Sequence, residues 1–307
     1  MKHILIAILI FLSASANAQN QVVRRTIKAN TPAAKKTESN VLSTTKKAKK
    51  LAIKRAEMTN RSTVNNTSWQ IYTSYKNNVL IVNAVSYEFV RVESGTFMMG
   101  AASEVKDSNA DEKPVHQVTL TNNYYIGKTE VTQALWKAVM GNNPSNHKGD
   151  NLPVECVSWN DCQRFISKLN AVTGKIFRLP TEAEWEFAAR GGNNSKHYQY
   201  SGGNNIDEVA WYCFNSGEQT HDVAIKQPNE LGIYDMSGNV YEWCQDWYGN
   251  YSSLAQTNPL GSTSGCRRVS RGGSWCNFVG SCRSSFRRSD DPSHGIPING
   301  LRLCFSE

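Results

Sequence analysis

Beyond residue 192 the chain holds no long run of helical or strand periodicity, and this limits what it can fold into more than any other feature. The stretch is rich in Gly, Ser and Asn, with Trp and Tyr spaced along it. Such a sequence predicts short strands and long ordered loops around an aromatic core. Four segments punctuate the C-terminal two thirds: Arg178-Leu-Pro-Thr-Glu-Ala-Glu-Trp185, running on to Gly192; Gly232-Ile-Tyr-Asp-Met-Ser-Gly-Asn-Val-Tyr-Glu-Trp243; Arg268-Val-Ser-Arg-Gly-Gly-Ser-Trp275; and Gly300-Leu-Arg302. No internal repeat is visible.

Upstream, local signals are clearer. Thr132 can cap a helix over Gln133–Met140 that Gly141 stops, and Ser158 can cap one through Leu169, whose Phe165, Ile166 and Leu169 share a face. Thr181 to Glu184 is a capping-box pattern, with Gly191 as the stop. Trp69–Tyr75 and Val79–Val85 read as short β-like runs, either a small N-terminal addition or strands packed on the main domain. Val90 and Val92 alternate with polar residues, Gly95 predicts a hairpin turn into Phe97–Met99, and Val118–Leu120 with Tyr124–Ile126 predicts a further strand pair. Composition and pattern alone give α+β. Trp159, Trp185, Trp243, Trp247 and Trp275 read as core, and Arg178, Arg190, Arg271 and Arg302 as partners of buried acids or loop carbonyls.

The division expected is a signal peptide at 1–18, a basic disordered tether at 19–65, a short β-like addition at 66–86 and the main domain at 87–307. Lys2 and His3 precede an apolar run from Ile4 to Leu12, too short to span a bilayer, and Ala16-Asn17-Ala18 offers a small-x-small cleavage site. Residues 19–57 hold eleven Lys and Arg against Glu38 and Glu57, a surplus of nine, so the net +8 belongs to the tether and the remainder is near neutral. The tether can contact anionic surfaces, but it has no aromatic residue to stack a base, and no nucleic acid is expected. Export makes the chain periplasmic, cell-surface or secreted, and eight cysteines in such a chain predict disulfides.

Asp235 and Glu242 flank Gly238, where a sharp turn can aim carbonyls inward, as a hard cation such as Ca²⁺ selects. The six histidines are scattered and form no metal motif, and no phosphate loop or nucleophile elbow is present.

In order and content the four segments resemble the formylglycine-generating enzyme, or sulfatase-modifying factor, family. The resemblance runs from about Tyr87 to the C-terminus and implies a C-type-lectin-like fold with little regular secondary structure. It also implies a calcium site with side chains from Asp235 and Glu242 and carbonyls from Gly238 and Val240. Members of the family that oxidise a sulfatase cysteine to formylglycine use two cysteines, five residues apart, after the Gly-Gly-Ser segment; paired thiolates suit Cu(I). Here Ser274 matches, while Cys276 and Cys282 are six apart. Counting back from Pro292 puts Arg287 and Arg283 in register and the second catalytic cysteine at Val279. Cys282 then reads as structural, and the chain as a domain without the copper dithiolate.

Three functions follow as expectations. The first is a non-catalytic binding or scaffolding module for a peptide, a glycan or an envelope protein. The second is a formylglycine-generating oxidase using Ser274, Cys276 and Cys282 with copper. The third is an envelope secretion or gliding-motility component.

Overall fold

The computed structural model describes residues 71–307 except Glu104 and Lys106. The expected signal peptide, the tether and Trp69 lie outside the described residues.

Strands β1 (Thr73–Lys76), β2 (Val79–Val82) and β3 (Val85–Val92) form an antiparallel meander. It continues through β6 (Tyr124–Gly127) to β12 (Cys304–Ser306), so the first and last described strands share one five-stranded sheet. A three-stranded sheet joins β4 (Gly95–Met99), β5 (His116–Leu120) and β8 (Gln256–Thr257). A four-stranded sheet has the order β10 (Arg287–Asp290), β9 (Arg268–Arg271), β7 (Tyr241–Trp247), β11 (Asn299–Gly300).

Two sequence expectations are corrected. Gly95 is not a hairpin turn, because β3 pairs with β6 while β4 pairs with β5. A Cβ on Gly95 would lie 2.2 Å from Asn193 Oδ1, so close approach of another segment is what selects glycine there. For the same reason β5 and β6 are not partners of each other: each belongs to a different sheet.

The helices form where their caps place them. Helix α1 (Gln133–Met140) has the Thr132 hydroxyl accepting from Leu135 N–H and ends at Gly141 with φ +83°. Helix α2 (Trp159–Thr173) carries a capping box from Ser158 and Asp161 and extends past Leu169 to stop at Gly174. Helix α3 (Glu182–Ala189) starts at the Thr181–Glu184 capping box. Helices α1 and α2 pack Trp136 flat on Phe165, centroids 4.9 Å apart, over a core that includes Phe89, Phe177 and Phe305. Helix α3 sits in a second core with Trp185, Phe187, Ile126 and Met236.

Arginine replaces regular structure as the organiser of the C-terminal loops. Arg271 reaches Glu186 and the carbonyls of Ser284, Ser285 and Phe286. Arg287 holds Glu182 at 2.7 Å and Arg283 holds Glu112 at 2.5 Å. Arg190 pairs with Glu186, and Arg178 with Glu184 at 2.6 Å. Burial opposes ionisation of Glu182, yet Arg287 and Arg271 together hold its carboxyl below the usual range. Trp185 and Trp243 are fully buried. Trp159, Trp247 and Trp275 are only partly so, since the first two sandwich the half-exposed Arg268, 4.0 and 3.4 Å from their centroids.

Candidate functional site

The segment from Tyr234 to Trp243 enters as a tight loop and leaves as β7. Asp235 lies at φ +60° and Gly238 at φ +83°. A Cβ on Gly238 would sit 2.2 Å from Trp211 O, so the loop closes on Trp211 only with glycine there. Asn239 N–H then donates to Trp211 O at 2.9 Å. Asp235 Oδ2 accepts from Ala224 N–H at 2.7 Å. A third acid, Glu130, accepts from Val240 N–H at 3.1 Å and Asn239 Nδ2 at 2.7 Å.

Glu242 points elsewhere. Both its oxygens accept from the Arg302 guanidinium, as close as 2.6 Å, and Trp185 Nε1 donates to one of them at 2.7 Å. Of the three buried acids only Glu242 contacts the buried Arg302 guanidinium, whose charge also reaches Glu130 and Asp235. Burial, then the neighbouring Asp235 and Glu242, push Glu130 well above the usual carboxylate range. Burial also pushes Asp235 up to about 6, against the pull of the Ala224 N–H and Arg302. Among the described residues no three His, Cys, Asp or Glu side chains are placed to hold one metal ion. A cation at this loop would instead rely on Asp235 and the carbonyls of Gly238 and Val240, with Glu242 committed to Arg302. In kind the donors suit a hard ion, and the surplus of buried acid gives it a charge to meet.

The thiols that the sequence singled out are separated by burial. Ser274 is fully buried, with Oγ 3.6 Å from Cys276 Sγ. Cys276 is exposed. Cys282 is 0% exposed and packs with Tyr200, Val209, Ala210 and Tyr212. Its burial pushes the thiol up to about 12. An open dithiolate facing a soft ion needs both sulfurs accessible and ionised, so the pair does not fit copper as the family's oxidases hold it. All eight cysteines are unlinked in the structure. Cys162 fills the first core, Cys244 and Cys304 the second, and Cys282 a third, each as a small apolar side chain.

Beside Cys276 the surface is apolar. Phe214 is 72% and Phe278 67% exposed, and their rings lie 5.8 Å apart. Val279 extends the ridge, and Tyr212 meets Phe214 edge to face.

One pocket escaped the sequence reading. A cavity of about 210 Å³ opens between His116, Glu182, Asp246, Trp247, Tyr251 and Arg287. His116 Nδ1 donates to Pro114 O at 3.1 Å, while Nε2 is buried with no hydrogen-bond partner among the described residues. Burial, then Glu182, push Asp246 up to about 8. The run Cys244-Gln-Asp-Trp-Tyr248, a carboxyl directly before two large aromatics, was the signal available for Asp246; nothing in sequence ties it to the distant His116.

Comparison with known proteins agrees with this geometry. Residues 82–306 match the model of the sulfatase-modifying factor enzyme 1-like domain. The chaperone protein LppX of Paenibacillus barcinonensis is 37% identical, over 73% of this chain and 91% of that one. The formylglycine-generating enzyme of Thermomonospora curvata is 34% identical, but the match covers 56% of this chain and 61% of that enzyme, less than two thirds of its length. Among solved structures, Treponema denticola variable protein 1 superposes with a TM-score of 0.68 at 32% identity, over 75% of this chain and 98% of that one. From its β3–β6 sheet to the Arg302 anchor, the chain belongs to the sulfatase-modifying-factor family and has that family's C-type-lectin-like fold.

Proposed function

We propose that the chain is a non-catalytic member of its family, a module that binds a polypeptide partner through the Phe214–Phe278 face. The observation that carries this reading is the burial of Cys282 beside an exposed Cys276. The thiol that should complete the oxidase pair is held as a protonated core group. The exposed aromatic ridge supplies what a binding face needs, apolar area beside polar loops. A relative named as a chaperone supports a polypeptide ligand. The apolar run at Ile4–Leu12 and the site at Ala16–Ala18 support an exported location. The excess of carboxyl groups around Arg302 supports a calcium ion at Asp235.

Two assays test the reading. Incubation with Cu(I), oxygen and a Cys-x-Pro-x-Arg peptide is expected to leave the peptide cysteine unconverted. Conversion that Cys276→Ser or Cys282→Ser abolishes would establish the oxidase instead. In the second assay, a carboxymethylated, permanently unfolded polypeptide is titrated into the full chain. Binding is expected, and it should weaken at least tenfold in Phe214→Ser/Phe278→Ser. Equal binding by wild type and double variant would remove the face from consideration.

A further inference from the structure

The apolar face holds two accessible thiols from segments far apart in sequence. The stretch 211–216 runs beside 275–278. Ser216 Oγ donates to Trp275 O at 2.8 Å. Cys213 N–H donates to Asn277 O at 3.0 Å. The next residue, Phe214, meets Phe278. Cys276 is therefore bracketed by two hydrogen bonds, one from a hydroxyl and one from a main-chain amide, to the segment that carries Cys213. Cys276 is exposed and Cys213 half-buried.

Cys282 is the competing partner, and its surroundings rule against it. A Cβ on Gly273 would lie 2.8 Å from Cys282 Sγ, so the Gly-Gly turn covers the sulfur. Its carbonyl is fixed by the Ser237 hydroxyl at 2.8 Å. Oxidation of a thiol by exchange needs access to the sulfur; Cys276 is exposed and Cys213 half-buried, whereas Cys282 is fully buried.

We propose that Cys213 and Cys276 form a disulfide that staples the two halves of the aromatic ridge. The Cys276 thiolate attacks one sulfur of a disulfide-bearing oxidant, giving a mixed disulfide and releasing the oxidant's other sulfur as a thiol. The Cys213 thiolate then displaces the remaining oxidant sulfur. One Sγ–Sγ bond forms, the oxidant's S–S bond breaks, and two electrons and two protons leave the chain with two oxidant thiols. Burial raises the pKa of the Cys213 thiol first, and the adjacent Cys276 raises it further, in keeping with two sulfurs that share one surface. The staple would hold Phe214 against Phe278 while leaving Cys282 a core thiol. It does not rest on the lack of oxidase activity, which is read by a different assay.

The test is a disulfide map. The full chain is equilibrated with oxidised and reduced glutathione, its free thiols are blocked with iodoacetamide, and it is digested with trypsin and chymotrypsin. Cleavage after Phe278 separates Cys276 from Cys282. The expected product is a cross-linked pair of peptides carrying Cys213 and Cys276, with Cys282 alkylated only after denaturation. In Cys213→Ser, Cys276 should become reactive in the native chain, and in Cys276→Ser, Cys213 likewise. A Cys276–Cys282 link, a lasting glutathione adduct on Cys276 of the wild type, or alkylation of both Cys213 and Cys276 after oxidation would overturn the proposal.

Discussion

Asp235→Asn isolates the cost of the crowded acids around Arg302. Asp235 is buried and held at about 6, against a usual aspartate value of 3.8. The folded chain thus keeps a proton there that the unfolded chain has already released near pH 4. Folding takes up a proton across this interval, so the contribution of Asp235 to stability falls as pH rises from about 4 to about 6. The gap of about two pH units, at about 1.4 kcal/mol per unit, is about 3 kcal/mol. Asparagine cannot ionise, keeps an oxygen for the Ala224 N–H, and tolerates the φ of +60° at this position. Urea unfolding of both proteins in EDTA, from pH 4 to pH 7.5, gives the difference directly. The variant should match the wild type near pH 4 and exceed it by about 3 kcal/mol above pH 6. A difference that stays flat across the range would show that Asp235 is not held protonated and that the buried-charge argument is wrong.

Three further outcomes follow from the same loop and its anchor. Calcium should raise the wild-type melting temperature at pH 7, because it meets the charge that burial disfavours, and Asp235→Asn should not respond; an unchanged wild-type melting curve refutes the ion. Gly238→Ala puts a methyl group 2.2 Å from Trp211 O at φ +83°, and chemical denaturation should show a loss of about 2 kcal/mol or more. Arg302→Met leaves Glu242 buried without its cation and should cost about 3–5 kcal/mol, with part of the loss restored in Arg302→Met/Glu242→Gln; additive losses would mean the pair is uncoupled.

Features encoded locally were legible. Thr132, Ser158 and Thr181 accept the N–H groups expected of N-caps, because a cap depends on residues within one turn. The arginines in the four segments do bind buried acids and carbonyls, since a charge in an otherwise apolar stretch has few other destinations. Pairing was less legible. Gly95 looked like a turn, yet its glycine answers to Asn193, nearly a hundred residues later. At the candidate site, Asp235 and Glu242 looked equivalent in sequence. The structure divides them, giving Glu242 to Arg302 and Asp235 to the Ala224 amide. Cys213 drew no attention because its neighbour Cys276 is distant in the chain. His116 and Asp246 converge on one cavity only after the three-stranded and four-stranded sheets have come together.

The segment Leu301–Ser306 completes the domain. Leu301 and Leu303 carbonyls accept from Val131 and Gly127 N–H at 2.9 and 2.8 Å, Cys304 bridges to Arg178, and Arg302 satisfies Glu242. During synthesis, every one of these partners leaves the ribosome well before the segment that completes it. Until Leu301–Ser306 is in place, β6 lacks one of its two neighbours, Glu242 lacks its countercharge, and the aromatic cluster lacks Phe305. A chain cut before Arg302 is therefore expected to leave the β6 edge and the aromatic cluster open to chaperones and proteases.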